Sequence, residues 1–525
     1  MQGKAPKTLI SIVHVTVLKA IGTMMGVAIA IGVANLFGAS GATDAYFLAR
    51  RIIMNVGMAL ERAFQLLEVP PLIGLLHQKG MPAVRRVLNR RRRIVFVVSL
   101  VASALAYAWA GPLLAMIAPG FDAAQTEDAA RYFRIMLLTI PIAAVTALTG
   151  AALSALKVFS LPVAARLIPR VAILVALFVV PLGFGLDVLS WAVVAGTLVM
   201  GIIFAITVRR AFSSDHVMAT NNGEAALHNF SRSRMIAMLL AQLHIVGASW
   251  IDMGFASVTG VGGVATLEFG QRLVNSAPGL VTNSVVLVYY TEFAVALAAG
   301  DNGRFHSLMR ESLRTTLFTV LPIAAGLMLF SGQVVQILLE HGSFDEAASH
   351  RTQQIVTILG ALLPVNAALG TLTAGVFADS GMSHIRIILI SSVLALAARV
   401  AVDVTLINTL GVIAVPIGAL VGMIVLLIAI YMALTVRIGP LIRTSEIKPF
   451  LALTLATVGS AVAMWGMRVL LISGTETRVQ LAMDVLAGSV VGGVAFLGLA
   501  AILHLPEVGI VRRRLTRLIS KWRRP

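Results

Sequence analysis

The chain contains no cysteine among its 525 residues, which excludes disulfides, thiolate nucleophiles and cysteine metal ligands. Charge is scarce as well: 12% of residues are charged, against about 25% in a soluble domain. Acids are the scarcer sign, 23 against 41 basic residues, for a net charge of +18. That balance suggests nucleic acid at first sight. However, aromatics are only 6% of the chain and are not interleaved with the basic blocks, and no soluble domain is present to carry them, so nucleic acid is excluded as a partner. Catalytic signatures are missing too. There is no Walker loop, no HExxH and no dinucleotide glycine fingerprint, and "TGVGG" (Thr259 to Gly263) follows no strand and reads as a loop. The acids Asp122, Glu127, Asp128, Asp345 and Glu346 have no clustered base or ligand spacing. The residues give no reason to expect an enzyme, a metal or a bound cofactor.

What remains is apolar: 58% hydrophobic residues and a mean hydropathy of +0.93. Runs of about 20 apolar residues recur, each ended by a short polar or Gly/Pro break, as a hydrocarbon core of about 30 Å requires. About fourteen such runs are present. They lack β-alternation, so helices must satisfy the backbone inside lipid. The first begins near Leu9 and has no cleavage site, so it reads as a retained span. Basic blocks such as "KGMPAVRRVLNRRRR" (Lys79 to Arg93), Arg209 with Arg210, and Arg437 with Arg443 fall on one side when spans are counted, whereas "APGFDAAQTED" and "HGSFDEAASH" fall on the other. The positive-inside rule then places both termini in the cytoplasm.

An internal repeat organises these spans. "FDAAQTEDAARYFRIMLLTIP" (Phe121 to Pro141) and "FDEAASHRTQQIVTILGALLP" (Phe344 to Pro364) match at an offset of 223 residues, the offset that also separates Ala42-Thr43 from Ala265-Thr266. The expected organisation is an N-terminal six-helix lobe over 1–212, a cytoplasmic linker over 213–230, a second six-helix lobe over 231–438, two further helices over 439–510 and a basic tail over 511–525. Six is even, so the halves keep one orientation, as in transporters whose substrate path lies between repeats. The tail carries seven cations between Arg512 and Arg524, with Leu515, Leu518, Ile519 and Trp522 among them. It should lie along an anionic leaflet, which makes acidic membrane lipids an expected partner.

The second run is unusual for its charges. At 100° per residue, Asp44, Arg51, Asn55 and Arg62 fall within roughly 40° of one helix face, and Arg50 with Glu61 about 100° away. A charge at mid-bilayer costs about 2.5 to 3.5 kcal/mol. These residues must therefore face protein or water, as interhelical ion pairs (Arg50, Glu61) or as the lining of a hydrated, positive cavity (Arg51 and Arg62 with Asp44, joined by Lys19, Glu268 and Arg272). Such a cavity suits an anionic substrate, because arginine grips phosphate bidentately and keeps its charge when desolvated.

"ANLFGASGATDAYFLA", "ERAFQLLEVP", "APGF", "VFSLPVAARL", "QRLVNSAPGLV" and "GSF" stand in that order along the chain, which resembles the MurJ/MviN lipid II flippases of the MOP transporter superfamily. The resemblance implies an all-α membrane protein with a MOP-type fold of fourteen helices. It also implies that the protein moves an undecaprenyl-diphosphate-linked glycan from the inner to the outer leaflet of the bacterial cytoplasmic membrane, driven by membrane potential or an ion gradient. Asp44, Glu61 and Arg272 match the family's pattern. The family's two first-span arginines are here Thr23 and Ile29, within "GTMMGVAIA", and its second-span arginine is Val56 or Gly57. Arg272, Arg51, Arg62, Arg50 and Lys19 are thus the expected substrate-binding cations, with Asp44, Glu61 and Glu268 in gating or structural roles. The departures leave two alternatives open: a flippase for an exopolysaccharide or O-antigen-type oligosaccharide, and a transport-inactive scaffold for cell-envelope enzymes. Some relatives hold sodium between spans seven and eleven. The corresponding cluster here, Asp252, Arg399 and Asp403, carries an arginine in place of an amide, as though a tethered cation replaced the ion.

Overall fold

The computed structural model describes residues 5–158, 160–213, 232–276, 289–290, 292–379, 384–441, 447–471 and 477–509. Among them no strand occurs. The expected tail, and the linker from residue 214 on, lie outside the described residues.

The helices are α1 (Ala5–Phe37), α2 (Gly41–Ala108), α3 (Ala110–Ile117), α4 (Ala123–Leu137), α5 (Thr139–Ala155), α6 (Ser160–Ala165), α7 (Ile168–Val179), α8 (Asp187–Ser213), α9 (Arg232–Ser257) and α10 (Gly263–Ser276). There follow α11 (Asn302–Leu329), α12 (Ser331–Leu338), α13 (Glu346–Ala378), α14 (His384–Leu410), α15 (Ala414–Ile438), α16 (Ile447–Leu471) and α17 (Arg478–Ile502). Nine described segments are long and apolar enough to cross a membrane, or up to eleven when two bent pairs each count as one. Some of these segments hold more than one helix or a break. The segment Ile385–Ile438 holds two helices, α14 and α15, which meet at the tight turn Gly411–Ile413. Helix α2 has 68 residues, or about 100 Å at 1.5 Å per residue, far longer than one crossing needs. It is broken at Gly80, whose φ of 70° and ψ of −176° interrupt the helical backbone just before Pro82. Helix α10 has 14 residues.

The repeat has a local cause. Asp122 accepts from the Gln125 amide at 2.7 Å and caps α4; Asp345 accepts from the Ala348 amide at 2.8 Å at the head of α13. Each Phe-Asp pair thus supplies an N-cap, satisfying amides that a helix start leaves bare. Thr43 and Thr266 likewise each bond back to the carbonyl three residues earlier, Ser40 and Gly263.

The chain divides into two compact units. The first comprises Met1–Arg272, His341–Ala348 and Leu406–Val415, and the second Leu273–Glu340, Ser349–Thr405 and Pro416–Pro525. In the first, α5 is rich in Ala, Gly, Ser and Thr, small residues that let helices approach closely in lipid. It packs along α2 around Leu72, Val84, Leu88, Leu148, Ala152 and Leu153, and Arg92 of α2 donates to Thr149 of α5 at 2.7 Å. In the second unit, α16 and α17 pair, with the Ser460 hydroxyl donating to the Gly492 carbonyl at 2.8 Å. They close on α11 through Phe318 and Phe496, whose rings are 5.0 Å apart.

Candidate functional site

The charged stripe of α2 faces α9 and α10 inside the first unit. Arg51 donates from Nε to the Ser249 hydroxyl at 2.8 Å, from one terminal nitrogen to Glu268 Oε2 at 2.8 Å, and from the other to the Gln271 side-chain carbonyl. Arg272 reaches the other oxygen of Glu268 at 2.9 Å, one turn along α10. Its guanidinium also lies 5.5 Å above the Phe47 ring, a cation–π contact. One carboxylate, its side chain 7% exposed, is therefore shared by two guanidiniums that are 20% and 14% exposed. This triplet keeps one uncompensated positive charge. Phe47 packs edge-on against Phe269 at 5.1 Å, and Phe269 against Phe344 at 5.4 Å, an aromatic line that stiffens the seat of the charges.

Asp44 is fully buried, and its carboxylate accepts from the backbone amides of Gly262 at 2.6 Å and Ala265 at 2.7 Å. It caps α10 from across the unit, placing a negative charge at the positive end of that helix. Gly262 makes this possible. Its φ is +84°, and a Cβ there would stand 2.6 Å from the Ala39 carbonyl, so the "TGVGG" turn can press its amide onto Asp44 only as glycine.

The other expected residues are placed as follows. Arg62 is exposed and donates to Gln242 of α9. Glu61 pairs with Arg166 at 2.8 Å, not with its stripe-mate Arg50. Arg50 itself is 9% exposed, and among the described residues its Nε has no hydrogen-bond partner. Lys19 lies on an exposed face of α1. Asp252 is buried in α9 of the first unit, whereas Arg399 and Asp403 are buried one turn apart on α14 in the second. Sequence reasoning did not single out Ser249, Gln271 and Gln242, the neutral partners of the arginines, nor Arg166 and Arg170. These last two, four residues apart around Pro169, carried a signal in their spacing.

The sequence model of the lipid II flippase MurJ family matches residues 33–482. The chain belongs to the MurJ family. The Burkholderia cenocepacia lipid II flippase MurJ is 26% identical over 323 residues, covering 60% of this chain and 62% of that relative's length. The fold agrees with a lipid II flippase MurJ structure in an inward closed conformation, at a TM-score of 0.72, 17% identity and coverage of 93% of this chain and 98% of that one. It also agrees with an inward-facing multidrug resistance MATE transporter of the MOP superfamily, at a TM-score of 0.67 and 17% identity, covering 81% of this chain and 96% of that one. This MurJ-family chain is therefore an all-α, multi-pass membrane protein with the MOP transporter architecture.

Proposed function

We propose that the protein flips an undecaprenyl-diphosphate-linked glycan of the lipid II type from the inner to the outer leaflet of the bacterial cytoplasmic membrane by alternating access between its two repeat-related lobes. Both termini then face the cytoplasm, and membrane potential or an ion gradient drives the cycle. The observation that carries the reading is the Arg51–Glu268–Arg272 triplet. Two guanidiniums on one carboxylate leave a net positive charge inside a membrane protein, and such a charge is retained where an anion must be held. A diphosphate offers several acceptor oxygens to the planar donors of arginine, so substrate can compete with Glu268 for either guanidinium and be released again. The test is complementation of a strain depleted of its own lipid II flippase, read as survival and as exposure of the labelled precursor on the outer leaflet. Rescue is expected; intact membrane insertion with no rescue would refute the lipid II assignment.

A second reading is favoured by Thr23 and Ile29 at the family's first-span arginine positions: the cargo is an exopolysaccharide or O-antigen-type lipid-linked oligosaccharide. It predicts rescue of a polysaccharide flippase mutant and none of the lipid II strain. A transport-inactive scaffold for cell-envelope enzymes would rescue neither as a carrier.

A further inference from the structure

In the second unit, the antiparallel helices α14 and α15 are close at one end and open at the other. Gly422 of α15 presses against α14: a Cβ there would stand 2.9 Å from the Ala395 carbonyl and 3.1 Å from the Arg399 Cβ. Such close approach is what small residues give to helices in lipid. Past Gly422 the side chains become large, and a cleft of about 430 Å³ opens between Ile390 and Leu394 of α14 and Ile428 and Met432 of α15, with Ala429 and Ala433 at its floor. Those four large residues are 50% to 58% exposed inside a segment apolar enough to span the membrane. The cleft therefore faces lipid.

Its mouth is charged. Arg386, exposed and in the first turn of α14, lines the cleft where the apolar walls end. No acid pairs with it among the described residues, and the helix dipole there works against a cation. Arg437, at the same end of the pair on α15, is already matched by Asp379 at 3.5 Å. The walls run over residues 387–394 and 425–433, about 11 to 12 Å at 1.5 Å per residue. That length fits within one leaflet, half of a hydrocarbon layer of about 30 Å. Apolar walls cannot choose an occupant, because lipid tails are as apolar as the side chains. Any selectivity has to come from Arg386.

We propose that the cleft between α14 and α15 binds an anionic diacyl phospholipid, with one acyl chain between the helices and the phosphate on Arg386. A guanidinium grips phosphate oxygens bidentately, and a basic residue beside a cleft between spans is a known means of reading a lipid headgroup. One cation matches the single charge of a phosphodiester, whereas a diphosphate calls for more. A zwitterionic headgroup fits less well: the acid at this end, Asp379, is engaged by Arg437 and leaves its ammonium unanswered. In the orientation proposed above this is the cytoplasmic end, so the lipid comes from the inner leaflet. The closed end of the same helix pair carries Arg399 and Asp403, so an occupied cleft braces the helix that holds them. The site is separate from cargo recognition and holds whatever the cargo is.

The test uses the purified full-length protein in phosphatidylcholine nanodiscs carrying a trace of phosphatidylglycerol or phosphatidylcholine with a photoreactive diazirine in one acyl chain. Labelled peptides are mapped by mass spectrometry. The phosphatidylglycerol probe is expected to label residues 387–394 and 425–433 about fivefold more than the phosphatidylcholine probe. Arg386→Gln should bring the two probes level, and Arg386→Lys should keep part of the preference. Ala433→Phe, which fills the cleft, should cut labelling by both. Excess unlabelled phosphatidylglycerol should chase the probe, and undecaprenyl phosphate should not. Should Arg386→Gln fail to insert, wild type and Ala433→Phe carry the comparison. Equal labelling by both probes in the wild type, an undiminished preference in Arg386→Gln, or wild-type labelling in Ala433→Phe would each overturn the site. Displacement by undecaprenyl phosphate alone would overturn the phospholipid as its occupant. None of these outcomes bears on the flippase reading, which the complementation assay decides.

Discussion

Replacing Asp44 by asparagine removes one charge and swaps one acceptor oxygen for a donor. The native carboxylate takes the Gly262 and Ala265 amides at 2.6 and 2.7 Å on its two oxygens. The asparagine oxygen can keep one, while its NH2 group is turned against the other, which becomes a buried unpaired donor at a cost of about 1 to 3 kcal/mol. Loss of the negative charge at the head of α10 adds about 0.3 to 1 kcal/mol, rising towards ~2 in a partly buried setting. The total expected for Asp44→Asn is about 1 to 5 kcal/mol, with Asp44→Ala costlier because both amides are stranded, and Asp44→Arg the worst because it puts a cation against the positive end of the helix. Thermal unfolding of the purified protein in mild detergent should rank wild type, Asn, Ala and Arg in that order, and flipping per cell should fall in step with the amount of folded protein. An Asp44→Asn variant that unfolds like the wild type would refute the capping argument. One that is normally folded yet transports nothing would show that Asp44 acts in the transport cycle itself.

Arg272→Ala should abolish flipping in a leaflet-accessibility assay with insertion and expression intact, and Arg272→Lys should keep part of it, because a point charge survives where the planar fork is lost. In the second unit Arg314 pairs with Glu507, whose side chain is 4% exposed, so Arg314→Ala strands a buried carboxylate and should cost about 3 to 5 kcal/mol in stability; the Arg314→Leu/Glu507→Leu double variant should recover most of that in the same unfolding assay. With Arg399 beside Asp403 on α14 as a tethered cation, reconstituted wild type should transport independently of sodium but respond to membrane potential, and Arg399→Asn should acquire sodium dependence; a steep rise with sodium at clamped potential would refute this. Deleting residues 511–525 should leave flipping largely intact, whereas complete loss of transport would mean the tail does more than anchor.

Spans were legible because they are local. Hydrocarbon thickness fixes the length of an apolar run, and the Phe-Asp pairs at 121–122 and 344–345 were legible as a repeat, their role as caps appearing only in the structure. The grouping of Asp44, Arg51 and Arg62 on one face was legible for the same reason, since 100° per residue is a property of one helix. Partners are not local. Glu61 and Arg50 share a line on α2, yet Glu61 pairs with Arg166 of the turn between α6 and α7, which periodicity within α2 does not encode. Asp44 reads from the sequence as an acid in a gating or structural role, and its carboxylate accepts backbone amides of a turn whose glycines read merely as a loop.

The cap that Asp44 places on α10 also sets a timetable for biogenesis. The Gly262 amide it binds lies 218 residues further along the chain, which at about 5 to 20 residues per second is a delay of about 10 to 45 s of ribosome time. Throughout that interval the carboxylate has been synthesised while the turn whose amides donate to it has yet to be made. The opening helices of the first unit must therefore stay loosely gathered, with water or a chaperoning helix at hand for Asp44, until synthesis passes the "TGVGG" turn. A nascent chain stalled before that turn holds Asp44 without the two amides that satisfy its carboxylate in the finished fold.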